Sequence, residues 1–340
     1  MPVPPQKLGY RILSATDLAA VDSERREFAN EVLVGLSERP KHLSSRFFYD
    51  DRGSELFREI MALPEYYLTN CERDIFVAEG GRLAERFADH TLEVVDLGAG
   101  DGAKTFILLD ALRARTASLS YRPIDISEGA MKTVVAAVRE QVPAIDVAGI
   151  VSEYADGLEY LAAKSGDAQR LVLFLGSNIG NFDRPRARAF LRRLWNSLHD
   201  GDYVLIGFDL KKDIDILLDA YNDSGGVTAA FNLNLLTRIN RELGGHFDTG
   251  SFRHFGTYDV FSGAMKSYLV SMAEQDIRID ALRTSFHFRA WEPVHTEYSY
   301  KYLRSDVISL AAATGFEIEL ELTDEDDFFV SSLWRVVKGS

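Results

Sequence analysis

Cysteine occurs once in 340 residues, at Cys71, so no intrachain disulfide can form and a reducing compartment is the natural setting. A lone cysteine beside helical sequence reads as a small buried apolar residue rather than a nucleophile. Long apolar runs are also missing: none approaches the roughly 20 residues that span a bilayer, and no membrane partner is expected. The start, MPVPPQKLGYRIL, has neither the apolar core nor the cleavage pattern of a signal peptide, and a cytoplasmic protein is expected. Basic charge is in deficit, with 38 Lys and Arg against 52 Asp and Glu and a net charge of −14. Nucleic-acid binding draws its affinity from phosphate neutralisation by cations, so a polyanionic partner is disfavoured and a small-molecule substrate favoured. Arg184, Arg186, Arg188, Arg192 and Arg193 read as a solvated helix face rather than a nucleic-acid site. The histidines at 42, 90, 199, 246, 254, 287 and 295 show no zinc-site spacing, and no metal is expected.

What is present is an ordinary globular composition, 46% hydrophobic and 26% charged, enough for one large domain with an insertion or for two domains. Residues 18–36 carry helical periodicity with Phe28, Val32 and Leu36 on one stripe. GSELFREIMAL (53–63) and a segment from about 70 to 87 predict two more helices. From residue 91 the pattern alternates: TLEVVDL, LSYRPIDI, IDVAGIV, RLVLFLG and DYVLIGFDL read as strands, with helical segments between them. That rhythm implies parallel βαβ units with right-handed crossovers and a doubly wound sheet. After residue 211 it breaks: a helical stretch around VTAAFNLNLLTRINREL precedes β-rich sequence from about 252 to 302. A helix and the strands FEIELELT and FFVSSLWRVV then close the chain. An insertion of about 90 residues is too long to be a plain loop.

The first strand runs into Asp96-Leu97-Gly98-Ala99-Gly100-Asp101-Gly102-Ala103-Lys104. Alternate glycines let the backbone pass close to a ligand and turn into a helix whose amino end faces it. A second strand ends in Asp125, well placed to accept hydrogen bonds from ribose hydroxyls, and an adenosine-containing cofactor is implied. The pattern D-x-G-x-G-x-G differs from the G-x-G-x-x-G that holds a pyrophosphate, and it is similar to the first motif of the Rossmann-like methyltransferases. Methyl donor is favoured over dinucleotide. An NAD-dependent oxidoreductase and a non-catalytic sensor of the methyl donor are the readings from other classes.

The chain resembles the histidine-specific N-alpha-methyltransferases of ergothioneine biosynthesis. The matching stretches are RFFYDDRGSELF (46–57), LPEYYLT (63–69), LGAGDGAKT (97–105), VLFLGSNIGN (172–181), DAYNDSGGVTAAFN (219–232), TEYSYKY (296–302) and DFFVSSLWRVV (327–337). The resemblance implies an α/β fold, a Rossmann-like class I methyltransferase sheet with a second, inserted α+β substrate-binding domain. Residues 30–211 and 303–340 would form the S-adenosylmethionine-binding domain, and 1–29 with 212–302 the substrate-binding domain. A monomer or weak dimer is expected.

Carried over residue by residue, Tyr49, Gly98, Lys104 and Asp125 match cofactor contacts, with Glu153 and Tyr154 at the adenine edge and face, where the family has Asp-Phe. Asn181 and Tyr221 match residues that hold the substrate carboxylate, and Tyr66 a tyrosine of the imidazole pocket. Glu297 and Ser299 match the pair that reads the ring, and Asn178 is placed to contact the amine. The family's pocket methionine is replaced here by Ser267, or, on another alignment, kept as Met265. A neutral imidazole offers one donor and one acceptor; a carboxylate takes the N–H and a hydroxyl serves the other nitrogen. The resemblance implies trimethylation of the L-histidine α-amine to hercynine, with no residue required as general base. Another aromatic amino acid, such as a tryptophan derivative, is the alternative substrate.

Taken singly, many of these residues have ordinary readings: Tyr66 and Tyr67 as packing aromatics, Tyr221 as an exposed helix end, Lys104 as a solvated helix start, and Glu297 as a solvent-facing acid.

Overall fold

The computed structural model describes residues 9–12, 18–100, 102–163 and 168–339. Asp101 of the glycine-rich stretch, and residues 1–8 and 13–17 of the segment assigned to 1–29, lie outside the described residues.

In chain order the elements begin with β1 (Tyr10–Ile12), α1 (Leu18–Ser37), β2 (Lys41–His42), α2 (Asp51–Met61) and α3 (Tyr67–Glu85). The alternating region follows with β3 (Thr91–Leu97), α4 (Ala103–Arg113), β4 (Ser118–Asp125), α5 (Glu128–Gln141), β5 (Asp146–Val147) and β6 (Gly149–Val151). It continues through α6 (Tyr154–Ala162), β7 (Gln169–Phe174), α7 (Arg184–Ser197) and β8 (Tyr203–Asp209). Next come α8 (Ile214–Tyr221), α9 (Val227–Leu243), β9 (Phe252–Asp259), β10 (Ala264–Ser271), β11 (Gln275–Ile279), β12 (Thr284–Phe288) and β13 (Pro293–Tyr300). The last elements are α10 (Arg304–Thr314), β14 (Phe316–Thr323) and β15 (Phe329–Val336).

These divide into two compact units. Among the described residues, the first gathers Leu68–Lys211 and Lys301–Ser340 with the short β1; the second gathers Lys212–Tyr300 with the chain up to Tyr67. The early boundary thus falls at 67/68, where the sequence places one at 29/30. Residues 30–67 carry their own reason to join the second unit: β2 pairs in parallel with β13, Lys41 opposite Val294. Phe47, Phe48 and Leu56 also share a core with Phe231, Leu235 and Leu269.

The first unit is built on a sheet in the order β1-β6-β4-β3-β7-β8-β15-β14, with β5 also paired to β4. β1 through β8 in that order are parallel, and β15 is antiparallel to both neighbours. Every residue of β8 and nearly all of β7 are buried, the near-continuous apolar run of strands covered on both faces. The segment read as one strand, IDVAGIV, is two short pieces; the gap lies opposite Pro123 of β4, which has no N–H for the ladder. Phe28, Val32 and Leu36 are all buried, as the helical stripe predicts, within the second unit's core. That unit holds the sheet β2-β13-β10-β9 and the hairpin β11-β12. The arginines at 184, 186, 188, 192 and 193 lie exposed along α7, with Arg184 paired to Asp306 at 3.1 Å.

Candidate active site

At the end of β3 the chain turns through Gly98, Gly100 and Gly102 with φ of +78°, +55° and +73°, a left-handed region that side-chain-bearing residues avoid. A Cβ on Gly100 would meet only the Gly98 carbonyl oxygen, 4.0 Å away, so the backbone there is open. Asp125, at the end of β4, binds this loop: one carboxylate oxygen accepts from the Gly100 N–H at 3.2 Å and the other from the Ser127 N–H at 2.8 Å. Burial raises its pKa, and these backbone donors only partly offset the effect. Asp96, buried beneath the loop, accepts from the hydroxyls of Thr105 and Tyr121, each at 2.8 Å, and burial pushes its carboxyl up to about 6.

Tyr154, Asn178 and Lys104 gather at this loop. A Cβ on Gly98 would lie 2.7 Å from the Tyr154 hydroxyl and 3.4 Å from Asn178 Nδ2. Lys104, in the first turn of α4, forms an ion pair with the wholly buried Glu72. Glu153 is exposed at the N-cap of α6, next to Tyr154, whose ring meets Phe174 edge-on at 5.7 Å. Burial raises the Tyr154 hydroxyl's pKa above the usual phenol value. Asn178 and Asn181 open and close a short 3-10 turn after β7. Lys104, Tyr154, Asn178 and Asn181 line the carboxyl ends of β3 and β7, where the strand order reverses, the place where doubly wound sheets bind ligands. Open glycine backbone, an acid at the next strand end and a fixed ammonium fit an adenosine bearing an amino-acid tail.

Two features here escape a reading of the sequence. Glu72 accepts from the Gly176 N–H at 2.9 Å. Lys301 and Asp209 form an ion pair at 2.7 Å with both side chains wholly buried. The backbone N–H of Asp209 donates to Ser177 Oγ at 3.1 Å, so the pair braces the 177–181 turn. Only pairing across the fold distinguishes these residues from surface charges.

In the second unit, β13 carries a bulge. Ser267 of β10 faces Glu297, but Tyr268 faces His295, leaving Thr296 as the extra residue. The bulge shifts the alternation: His295 contacts the ring of Tyr298, centroids 3.9 Å apart, while Thr296 and Ser299 are buried on the other side. Glu297 and Ser299, two apart beyond the bulge, share that other side. The Tyr221 hydroxyl donates to Ser299 Oγ at 2.7 Å. Tyr221 is 7% exposed, a buried helix end, and its ring lies 6.5 Å from that of Tyr66. Met265 is buried opposite Ser299 and packs with Leu217, Ala220 and Tyr221; Ser267 is buried opposite Glu297. Both candidates for the pocket methionine position therefore lie beside the Glu297 and Ser299 pair. Tyr49 packs edge-on against Phe57 and Phe231 at 5.6 and 5.8 Å. The cofactor candidates Gly98, Lys104, Asp125, Glu153 and Tyr154 and the substrate candidates Asn178 and Asn181 belong to the first unit; the cofactor candidate Tyr49 and the substrate candidates Tyr66, Tyr221, Glu297 and Ser299 belong to the second.

Among the described residues no cluster of three or more His, Cys, Asp or Glu could hold a metal, and no helix is long and apolar enough to cross a membrane.

The sheet, with its antiparallel β15 between β8 and β14, and the glycine-rich loop braced by Asp125 define a Rossmann-like class I methyltransferase fold. The family described as histidine-specific, SAM-dependent methyltransferase matches residues 28–336, and the chain belongs to it. It is 35% identical over 321 residues to the histidine N-alpha-methyltransferase of Mycolicibacterium smegmatis, covering 94% of this chain and 98% of that one. It is 36% identical over 313 residues to the histidine N-alpha-methyltransferase of Mycobacterium tuberculosis, covering 92% and 96%. Ergothioneine biosynthesis protein 1 of Neurospora crassa is 31% identical over 296 residues, 85% of this chain and 32% of that longer one. The chain is an S-adenosylmethionine-dependent methyltransferase.

Proposed function

We propose that the protein methylates the α-amine of L-histidine three times to give hercynine, the betaine from which ergothioneine is built. The observation that carries the reading is the pairing of Glu297 with Ser299 on one side of β13, with a tyrosine hydroxyl already donating to the serine. A phenol is the stronger donor of the two hydroxyls, so Ser299 accepts from Tyr221 and directs its own proton onward. Such a serine suits an acceptor nitrogen, and Glu297 suits the N–H of a neutral imidazole. Tyr66 would close the ring pocket.

S-adenosylmethionine, when bound, supplies a methyl group on a sulfonium, which a neutral amine takes in line with loss of a thioether leaving group. The chain's part is orientation and exclusion of water. Gly98, Lys104 and Asp125 would hold the cofactor together with Glu153, Tyr154 and Tyr49. Asn181 and Tyr221 would hold the substrate carboxylate, and Asn178 the amine. Residues 212–302 then act as the substrate-binding part. The net charge of −14 supports a small-molecule partner rather than a nucleic acid, and a cytoplasmic monomer or weak dimer completes the reading.

A tryptophan derivative is the second reading, since Ser267 and Met265 set the pocket's volume. An indole has an N–H but no ring acceptor, so it could not take the hydrogen bond that a neutral imidazole would accept from Ser299, a difference of about 1 to 3 kcal/mol. The test is mass spectrometry of products after incubation with S-adenosylmethionine and all proteinogenic amino acids. Histidine gaining one, two and three methyl groups is expected. Methylation of another amino acid overturns the substrate, and cofactor binding without turnover overturns the catalytic reading in favour of a sensor.

A further inference from the structure

We propose that Glu72 is a positioning residue for the cofactor: it fixes the Lys104 ammonium where the glycine-rich loop meets the 176–181 loop. The inference rests on the reading of Lys104 as a cofactor contact. Glu72 lies in α3 with its carboxylate at 0% exposure, and a buried carboxylate is costly unless it is paired and hydrogen-bonded. Its partners are Lys104 Nζ and the Gly176 N–H, the latter at 2.9 and 3.1 Å from its two oxygens.

The surroundings are shaped for this carboxylate. A Cβ on Gly207 of β8 would collide with Glu72 Oε1, so the strand has no side chain where the acid sits. Lys104 remains 20% exposed, and its Nζ would lie 3.5 Å from a Cβ on Gly176. Asn178 Nδ2 would lie 4.0 Å from that same point and 3.4 Å from a Cβ on Gly98. The ammonium is thus held among the backbones of both loops, at the carboxyl ends of β3 and β7. A lysine side chain loses rotamer freedom when it is fixed, and a fixed carboxylate behind it places that ordering cost in folding instead of in ligand binding.

Glu72→Gln separates this role from a merely structural one, because the amide oxygen still accepts from Gly176 while the charge that holds Lys104 is gone. The Kd for S-adenosylmethionine is measured by calorimetry for the wild type, Glu72→Gln, Lys104→Met and the double variant. Glu72→Gln is expected to weaken cofactor binding about tenfold with the KM for histidine within about twofold. In the Lys104→Met background the same change is expected to shift the Kd less than about twofold, as coupled residues require. An unchanged Kd in Glu72→Gln, an equal loss in both backgrounds, or a parallel rise in histidine KM overturns the inference. If Glu72→Gln does not fold by circular dichroism, Glu72→Asp decides, since it keeps the charge but withdraws it by one methylene. A severalfold rise in Kd is then expected, and an unchanged Kd overturns. A wild-type protein that does not bind S-adenosylmethionine overturns the cofactor reading itself, whereas wild-type binding with indifferent Glu72 variants overturns only the role given to Glu72.

Discussion

The hydroxyl of Tyr221, the last residue of α8, lies 2.7 Å from Ser299 Oγ on β13, and both side chains are buried. The resemblance gives these two residues opposite ends of the substrate, carboxylate and ring, yet they are direct partners. Tyr221 therefore sets the direction in which the serine proton points.

Tyr221→Phe keeps the ring packing against Leu217 and Met265 but removes this donor. Losing one buried hydrogen bond costs about 1 kcal/mol, so the KM for histidine is expected to rise roughly fivefold or more. Cofactor affinity should stay within about twofold, and steady-state kinetics beside cofactor calorimetry checks both. An unchanged histidine KM would remove Tyr221 from the substrate site.

Asp125 accepts from the Gly100 N–H, so its loss both frees the loop and removes the expected ribose acceptor. Asp125→Ala is expected to weaken S-adenosylmethionine binding at least about tenfold, the scale of a hydrogen bond to a charged group. Histidine KM, measured at saturating cofactor, should hold. Equal cofactor affinity in variant and wild type would end the ribose assignment.

Lys301 and Asp209 are both wholly buried. Lys301→Met takes the lysine away from a buried carboxylate and is expected to cost about 3 to 5 kcal/mol in urea unfolding. Lys301→Met with Asp209→Leu should recover much of that loss. A single variant as stable as the wild type would show that the ion pair contributes no net stability.

The buried Asp96 and the half-buried His295 give opposite pH dependences. Burial pushes Asp96 up to about 6, above its unfolded value, so its contribution to stability is present at low pH and lost as pH rises toward 6. Asp96→Asn is expected to remove that fall. Burial pushes His295 down to about 4, so its contribution is present above about 6.5 and lost as pH falls toward 4. His295→Gln is expected to flatten the acid limb. Chemical denaturation of both variants between pH 4 and 7 separates the two effects.

Much of the fold is legible in the sequence because it is local. β3, β7 and β8 appear as apolar runs, since strands covered on both faces must be apolar throughout. α9 appears as an uninterrupted helical period over Val227–Leu243. The glycine-rich turn after β3 is equally plain, because three positive φ angles there admit little else. α8 and the two-residue β2 are not legible; at eight and two residues they are too short to carry a period. Nor is β1, three residues whose strand state comes only from lying beside β6.

The sequence by itself determined the alternation of strands and helices, the cofactor loop and the acid at the next strand end, because chain-local sterics and burial dictate each of them. Tertiary structure alone decided which polar groups meet. The bulge that turns Glu297 and Ser299 onto the side of Thr296, away from His295, depends on the register of β13 against β10. The partners of Glu72, Asp209 and Tyr221 are residues 32, 92 and 78 positions away. Distances along the chain carry no record of such pairings, which arise only when the packed fold removes water and leaves each buried charge or hydroxyl in need of a partner.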